Sequence, residues 1–195
     1  MAVESDESSL NHKIALIAVP VAVMWLIEVF ERISGFNFDA WGIRPRSLKG
    51  LPGILLSPFL HLDFQHLIAN TLPFVILGGL VLVSSARTFI SVSLNIIVLA
   101  GLGVWLIAGR QEIHIGASGL VFGYFGFLIM RGWFERSLSS IFIAVVVFAV
   151  YGGMIWGVLP VQRGVSWEGH LMGFLAGAAA AWSLAADKWR GRRLA

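Results

Sequence analysis

The chain has no cysteine, which excludes disulfides, thiolate metal sites and cysteine nucleophiles. It is also poor in charge: Asp, Glu, Lys and Arg make up 13% of its 195 residues, about half the share typical of a soluble domain. No proline-rich linker, composition shift, internal repeat or low-complexity stretch divides it, so residues 1–195 read as a single domain. There is no HExxH pattern, and no aspartate falls inside an apolar segment, which removes two familiar routes to hydrolysis within a membrane.

What remains is 57% hydrophobic, with a mean hydropathy of +0.83. A chain of this kind is an all-α membrane protein, since lipid leaves backbone polar groups no partner outside a helix or a closed barrel. The formal charge of +3 comes largely from Lys188, Arg190, Arg192 and Arg193 in the tail 187–195. Cations beside an apolar segment suit an anionic lipid surface better than nucleic acid.

A spanning helix needs about 20 mostly apolar residues. Six segments are predicted to span: 14–30, 64–83, 88–108, 117–130, 138–158 and 167–186. The fourth is short and begins in a glycine-rich stretch, as a helix enclosed by its neighbours can. Residues 1–13 form a polar N-terminal segment ahead of an apolar run too long for a signal-peptide core. An even number of spans puts both termini on one side. The tail cations, with Lys13, Arg87, Arg131 and Arg136, favour the cytoplasmic side of a bacterial cell membrane. Between the first two spans, Trp41, Ile43, Leu51, Ile54, Leu55 and Phe59 alternate with Arg44, Arg46 and Lys49, as in a loop lying in the interface plane.

In this topology spans two, four and six all start at the outer face, and each starts with unusual residues. His66 and Asn70 are one turn apart on span two, Ser118 opens span four, and His170 lies one turn into span six. Polar side chains at that depth cost free energy unless they pair or meet water, which makes them functional candidates. Singly, each is more often packing or interhelical glue. Together they suit acyl transfer: His170 can take the proton of Ser118, and Asn70, His66 and the N–H groups opening span four can face a developing oxyanion. With no carboxylate inside the spans near His170, a Ser–His dyad is expected, although Glu168 is close in sequence. Gly169, Gly173 and Gly177 on span six and Gly119 and Gly123 on span four recur every four residues, a spacing that lets membrane helices approach closely.

The stretches HLDFQHLIAN (61–70), GASGLVFG (116–123) and GHLMGFLAG (169–177) resemble the rhomboid family of intramembrane serine proteases. The resemblance implies a six-transmembrane-helix bundle that hydrolyses peptide bonds in or near transmembrane segments of other proteins, without metal or cofactor. It implies Ser118 as nucleophile, His170 as general base, and His66, Asn70 and the Ser118 N–H as the oxyanion hole. Gly116 would shape the loop entering span four, and His61 would match the extra histidine ahead of the motif, with either a structural role in the loop or a catalytic one. Two positions depart from the pattern. Phe122 stands where some members carry a tyrosine stacked on the histidine, and Pro52-Gly53 stand where some have a Trp-Arg pair. Two other functions compete. A bis-histidine haem protein using His66 and His170 leaves Ser118, Asn70 and the GASG stretch without a role. A catalytically inactive relative that binds membrane clients is opposed by the presence of every catalytic residue type.

Overall fold

The computed structural model describes the backbone over residues 2–160 and 164–193 and the side chains over 10–160 and 164–187. Arg163 and the side chains of Lys188, Arg190, Arg192 and Arg193 lie outside the described residues. The described residues form seven α-helices in order: α1 (Ala2–Ser34), α2 (Gly53–Leu56), α3 (Phe64–Ser84), α4 (Ala86–Ile107), α5 (Ser118–Glu135), α6 (Leu138–Tyr151) and α7 (Trp167–Arg193). A 3-10 stretch, Gly152–Val158, continues α6. No strand occurs among the described residues, and Ile43 and His114 form an isolated antiparallel bridge.

Short polar side chains set the helix starts by accepting from N–H groups that the first turn leaves unpaired. Asp63 accepts from the N–H of His66 at 2.7 Å and opens α3. Ser85 closes α3 and accepts from the N–H of Thr88 at 2.9 Å, so α4 begins where α3 stops. Ser137 and Ser140 form a reciprocal capping box on α6. The chain turns from α5 to α6 through Arg136 in the left-handed region, φ 52°.

Among the described residues, five helices are long and apolar enough to cross a membrane: Leu10–Ser34, α3, α4, α6 with its 3-10 continuation (Leu138–Val158), and Trp167–Asp187 of α7. The chain is therefore a multi-pass membrane protein. Helix α5 is not among the five, because its last turns carry Arg131 and Glu135, ion-paired at 2.9 Å. From Leu120 to Leu128 every residue of α5 is buried, so this helix is enclosed on all sides. Helix α6 is its opposite: only Ser140 and Val147 are buried, and Phe142, Val145, Phe148 and Val150 point outward. Helix α1 reaches back to Ala2 through the polar stretch 1–13, since hydropathy marks where a chain is apolar and not where it is helical.

Helix α7 packs against α5 backbone to backbone. A Cβ on Gly173 would be driven into the carbonyl oxygen of Gly119, one on Gly177 into that of Gly123, and one on Gly126 into that of Phe174. The glycine stripes noted in the sequence are thus the contact surface of the two central helices.

The segment from Gly35 to Asp63 folds as short helical turns fastened to the bundle. Arg46 donates from Nη1 to the carbonyl of Leu106 at 2.7 Å and from Nη2 to that of Ala108 at 2.6 Å. Trp105 donates its indole N–H to Ser47 O at 2.9 Å. Ile43 and Ile54 are buried against Val104 and Ala108, whereas Trp41, Leu51 and Leu55 are exposed. The apolar residues of this segment therefore divide between protein and surroundings. Gly53 rests on the backbone of Gly42 with no room for a Cβ, so at the Pro52-Gly53 position the loop is anchored by close approach instead of by a side chain.

Gly173→Val is expected to destabilise the bundle by at least about 1–3 kcal/mol, the usual cost of overpacking. Gly79→Ala, where nothing lies within 4 Å of the added carbon, should be neutral or slightly stabilising. Thermal unfolding in detergent compares the two; equal effects would contradict the contact between α5 and α7.

Candidate active site

Ser118, His170, His66, Asn70 and Phe122 line one open cavity of about 770 Å³. Three helix starts, those of α3, α5 and α7, bring these residues together. The wall also includes Pro73 of α3, Met154 of the 3-10 stretch, Glu112 and His114 of the loop between α4 and α5, and Ser166 ahead of α7.

Helix α5 starts at Ser118, and its first intrahelical hydrogen bond runs from the N–H of Val121 to the carbonyl of Ala117 at 3.0 Å. The N–H groups of residues 118–120 thus have no carbonyl within the helix, and the positive end of the helix dipole lies at the serine. The Ser118 hydroxyl has no hydrogen-bond partner among the described residues, so it and the His170 ring share the cavity without being bonded to each other. Such pairs commonly tighten only when substrate is bound.

His170 is held from two sides. Its Nδ1 is 2.9 Å from the carbonyl oxygen of Gly157, 13 residues earlier in the 3-10 stretch. A carbonyl can only accept, so Nδ1 carries the proton and the neutral ring keeps its lone pair on Nε2. The ring is stacked on Phe122 with centroids 3.9 Å apart and planes 7° apart. A Cβ at Gly157 would come within 2.8 Å of Phe122 Cζ, so glycine allows this carbonyl to approach.

His66 packs on Gly116, whose φ of +109° lies in the glycine-favoured region. A Cβ there would sit 2.7 Å from His66 Cε1, so the residue expected to shape the loop also supports the imidazole. Asn70 is buried and donates one amide hydrogen to His66 O at 3.1 Å, leaving the second free. His61, in the loop before α3, is 1% exposed and accepts from the N–H of Ala117 through Nε2 at 3.3 Å. Its ring meets that of His66 edge-on at 5.1 Å. Burial first, and His66 second, lower the pKa of His61 to about 4, against a smaller opposing pull from the Phe59 carbonyl. His61 thus ties the loop before α3 to the start of α5 as a neutral acceptor.

Glu168 is buried, and the His170 ring nitrogen Nδ1 is paired with the Gly157 carbonyl instead of with a carboxylate. Glu168 lies with Glu112 around His114, whose Nδ1 is 2.7 Å from Ser166 Oγ. Burial lowers the pKa of His114, opposed by Glu168 and then Glu112. Neither Gly157 nor His114 was marked by sequence. A partner 13 residues away through its carbonyl leaves no side-chain signal, and His114 meets Ser166 across 52 residues.

A family model for the Rhomboid domain matches residues 49–187. The chain belongs to the rhomboid family. It is 42% identical over 182 residues to the Mycobacterium tuberculosis protein named uncharacterized protein Rv1337, covering 89% of this chain and 76% of that one. It is 30% identical to rhomboid-like protein 11, chloroplastic, of Arabidopsis thaliana, covering 83% of this chain and 61% of the plant protein. To the putative rhomboid protease YdcA of Bacillus subtilis it is 26% identical over 130 residues, covering 63% of this chain and 62% of that one. The rhomboid match takes in the segments carrying all four candidate residues.

The pKa of His61 fixes the sign of a pH effect. Between about 4 and the unfolded value near 6.5 the unfolded chain binds the proton and the folded chain does not, so stability falls as pH drops through that window. The loss is at most roughly 3 kcal/mol. Unfolding midpoints measured from pH 4 to 7 should show a flatter dependence in His61→Gln; an identical slope would remove His61 from this role.

Proposed function

We propose that this rhomboid-family chain is an intramembrane serine endopeptidase that cleaves peptide bonds in or near transmembrane segments of other membrane proteins. The observation that carries this reading is the His170 tautomer. With Nδ1–H given to Gly157 and the ring clamped on Phe122, Nε2 is a free base in the cavity that Ser118 lines. The Gly157 carbonyl fixes the tautomer and orientation of the ring, as a carboxylate does in a triad, but without its charge, and the stacking on Phe122 needs no hydroxyl.

Ser118 Oγ attacks the substrate carbonyl while His170 Nε2 takes its proton and then passes it to the leaving amine. The oxyanion formed in that step meets the Ser118 N–H at the helix start, the spare amide hydrogen of Asn70 and the His66 ring. Water then hydrolyses the acyl-enzyme by the reverse proton path. No cofactor takes part in these steps. In this reading α5 is a sixth span, short because it is enclosed by protein. Six spans put both termini on one side, which the basic tail assigns to the cytoplasm. The loop from Gly35 to Asp63 rests at the outer interface, and the cavity opens outward.

Purified protein should cleave a transmembrane reporter, and Ser118→Ala or His170→Ala should abolish cleavage while leaving the bundle folded. Asn70→Ala should cost on the order of 10-fold to 1000-fold. In cells, the reporter's outward-facing end should be released outside. Cleavage that persists in Ser118→Ala would end the serine mechanism, and release into the cytoplasm would invert the orientation.

A further inference from the structure

We propose that Glu112, His114 and Glu168 bind one divalent transition-metal cation, of the Zn²⁺ or Mn²⁺ type, at the rim of the cavity. One ligand atom from each of the three lies within 4.8 Å of the others. One imidazole and two carboxylates suit borderline divalent cations, which take nitrogen and oxygen donors together.

A group of acidic residues alone would not define a site, but His114 supplies a second observation. It is 6% exposed, and its Nε2 is buried without a hydrogen-bond partner, 3.6 Å from Glu112 Oε2. A buried polar atom left unpaired costs free energy comparable to a lost hydrogen bond. Here that atom lies beside Glu112, with Glu168 in the same group, so a cation among them would satisfy all three residues at once.

Ser166 gives the site the support that metal-bound histidines usually have. Its Oγ accepts the N–H of Gly169 at 3.1 Å and lies 2.7 Å from His114 Nδ1. A hydroxyl oxygen accepting Nδ1–H leaves the lone pair on Nε2, toward the carboxylates. Glu112 is 61% exposed in its side chain and can swing inward to close the ligand set.

The position gives such a cation a role distinct from peptide hydrolysis. His114 is four residues before Ser118, and Glu168 is two residues before His170. A bound ion would fasten the loop between α4 and α5 to the first turn of α7, fixing the two segments that carry the proposed dyad. Metal availability would then set how firmly the cavity wall is held.

The test uses the full-length Ser118→Ala protein in detergent, so that it does not depend on proteolysis. Titration with Zn²⁺, and separately with Mn²⁺, should show saturable binding of one ion per chain for at least one of them, with a rise in unfolding temperature. Glu112→Gln should weaken that binding by about tenfold or more without changing the unfolding temperature of the metal-free protein, and Glu168→Gln should weaken it as well. Absence of saturable binding by either ion, or a Glu112→Gln variant that binds as tightly as its parent, would overturn the proposal. Glu112 is exposed, so its variant remains informative even if Glu168→Gln fails to fold.

Discussion

The backbone contact between α5 and α7 is the constraint from which the rest of the arrangement follows. Lipid is as apolar as a leucine side chain, so helices in a membrane gain little from burying apolar surface against one another. Interhelical hydrogen bonds contribute about 0.6 kcal/mol each on average, too little to hold a membrane bundle in register. Packing must supply the rest, and it does so best where two backbones nearly touch. Gly173 and Gly177 set α7 directly over the carbonyls of Gly119 and Gly123. That contact fixes the depth of α7 relative to α5, and with it the depth of His170 relative to Ser118.

Once those depths are set, the remaining parts of the site act on orientation. Gly157 and Phe122 hold the His170 ring in one plane and one tautomer. Gly116 leaves room for the His66 ring, and His61 ties the loop ahead of α3 to the residue before Ser118. Outside the bundle, Arg46, Trp105 and the Ile43–His114 bridge fasten the long first loop to the end of α4 and to the loop before α5. The cavity is thus held open by polar ties between segments far apart in the chain.

Most of this architecture was legible from hydropathy and spacing, because membrane helices advertise themselves by length and apolarity. The starts of α3, α6 and α7 were read at Phe64, Leu138 and Trp167, where a polar cap precedes an apolar run. Helix ends were less visible: α1 extends to Ala2 and α5 to Glu135, since a helix can continue through polar sequence once its neighbours or its own ion pairs support it. The grouping of Ser118, His170, His66 and Asn70 was inferable because each opens a helix entering from one side. Contacts made by backbone atoms or across long separations were not, and these include the Gly157 carbonyl on His170 and the group formed by Glu112, His114 and Glu168. Nothing in the local sequence of either distinguishes them from ordinary loop residues.

Ser118 is proposed as a nucleophile made reactive by His170, whose free nitrogen belongs to the same cavity. Labelling of the membrane-embedded protein with a fluorophosphonate, followed by mass spectrometry of the adduct, tests this role most directly. The account predicts a single adduct on Ser118 that disappears in His170→Ala. An adduct confined to another serine, or full labelling of Ser118 without His170, would contradict it.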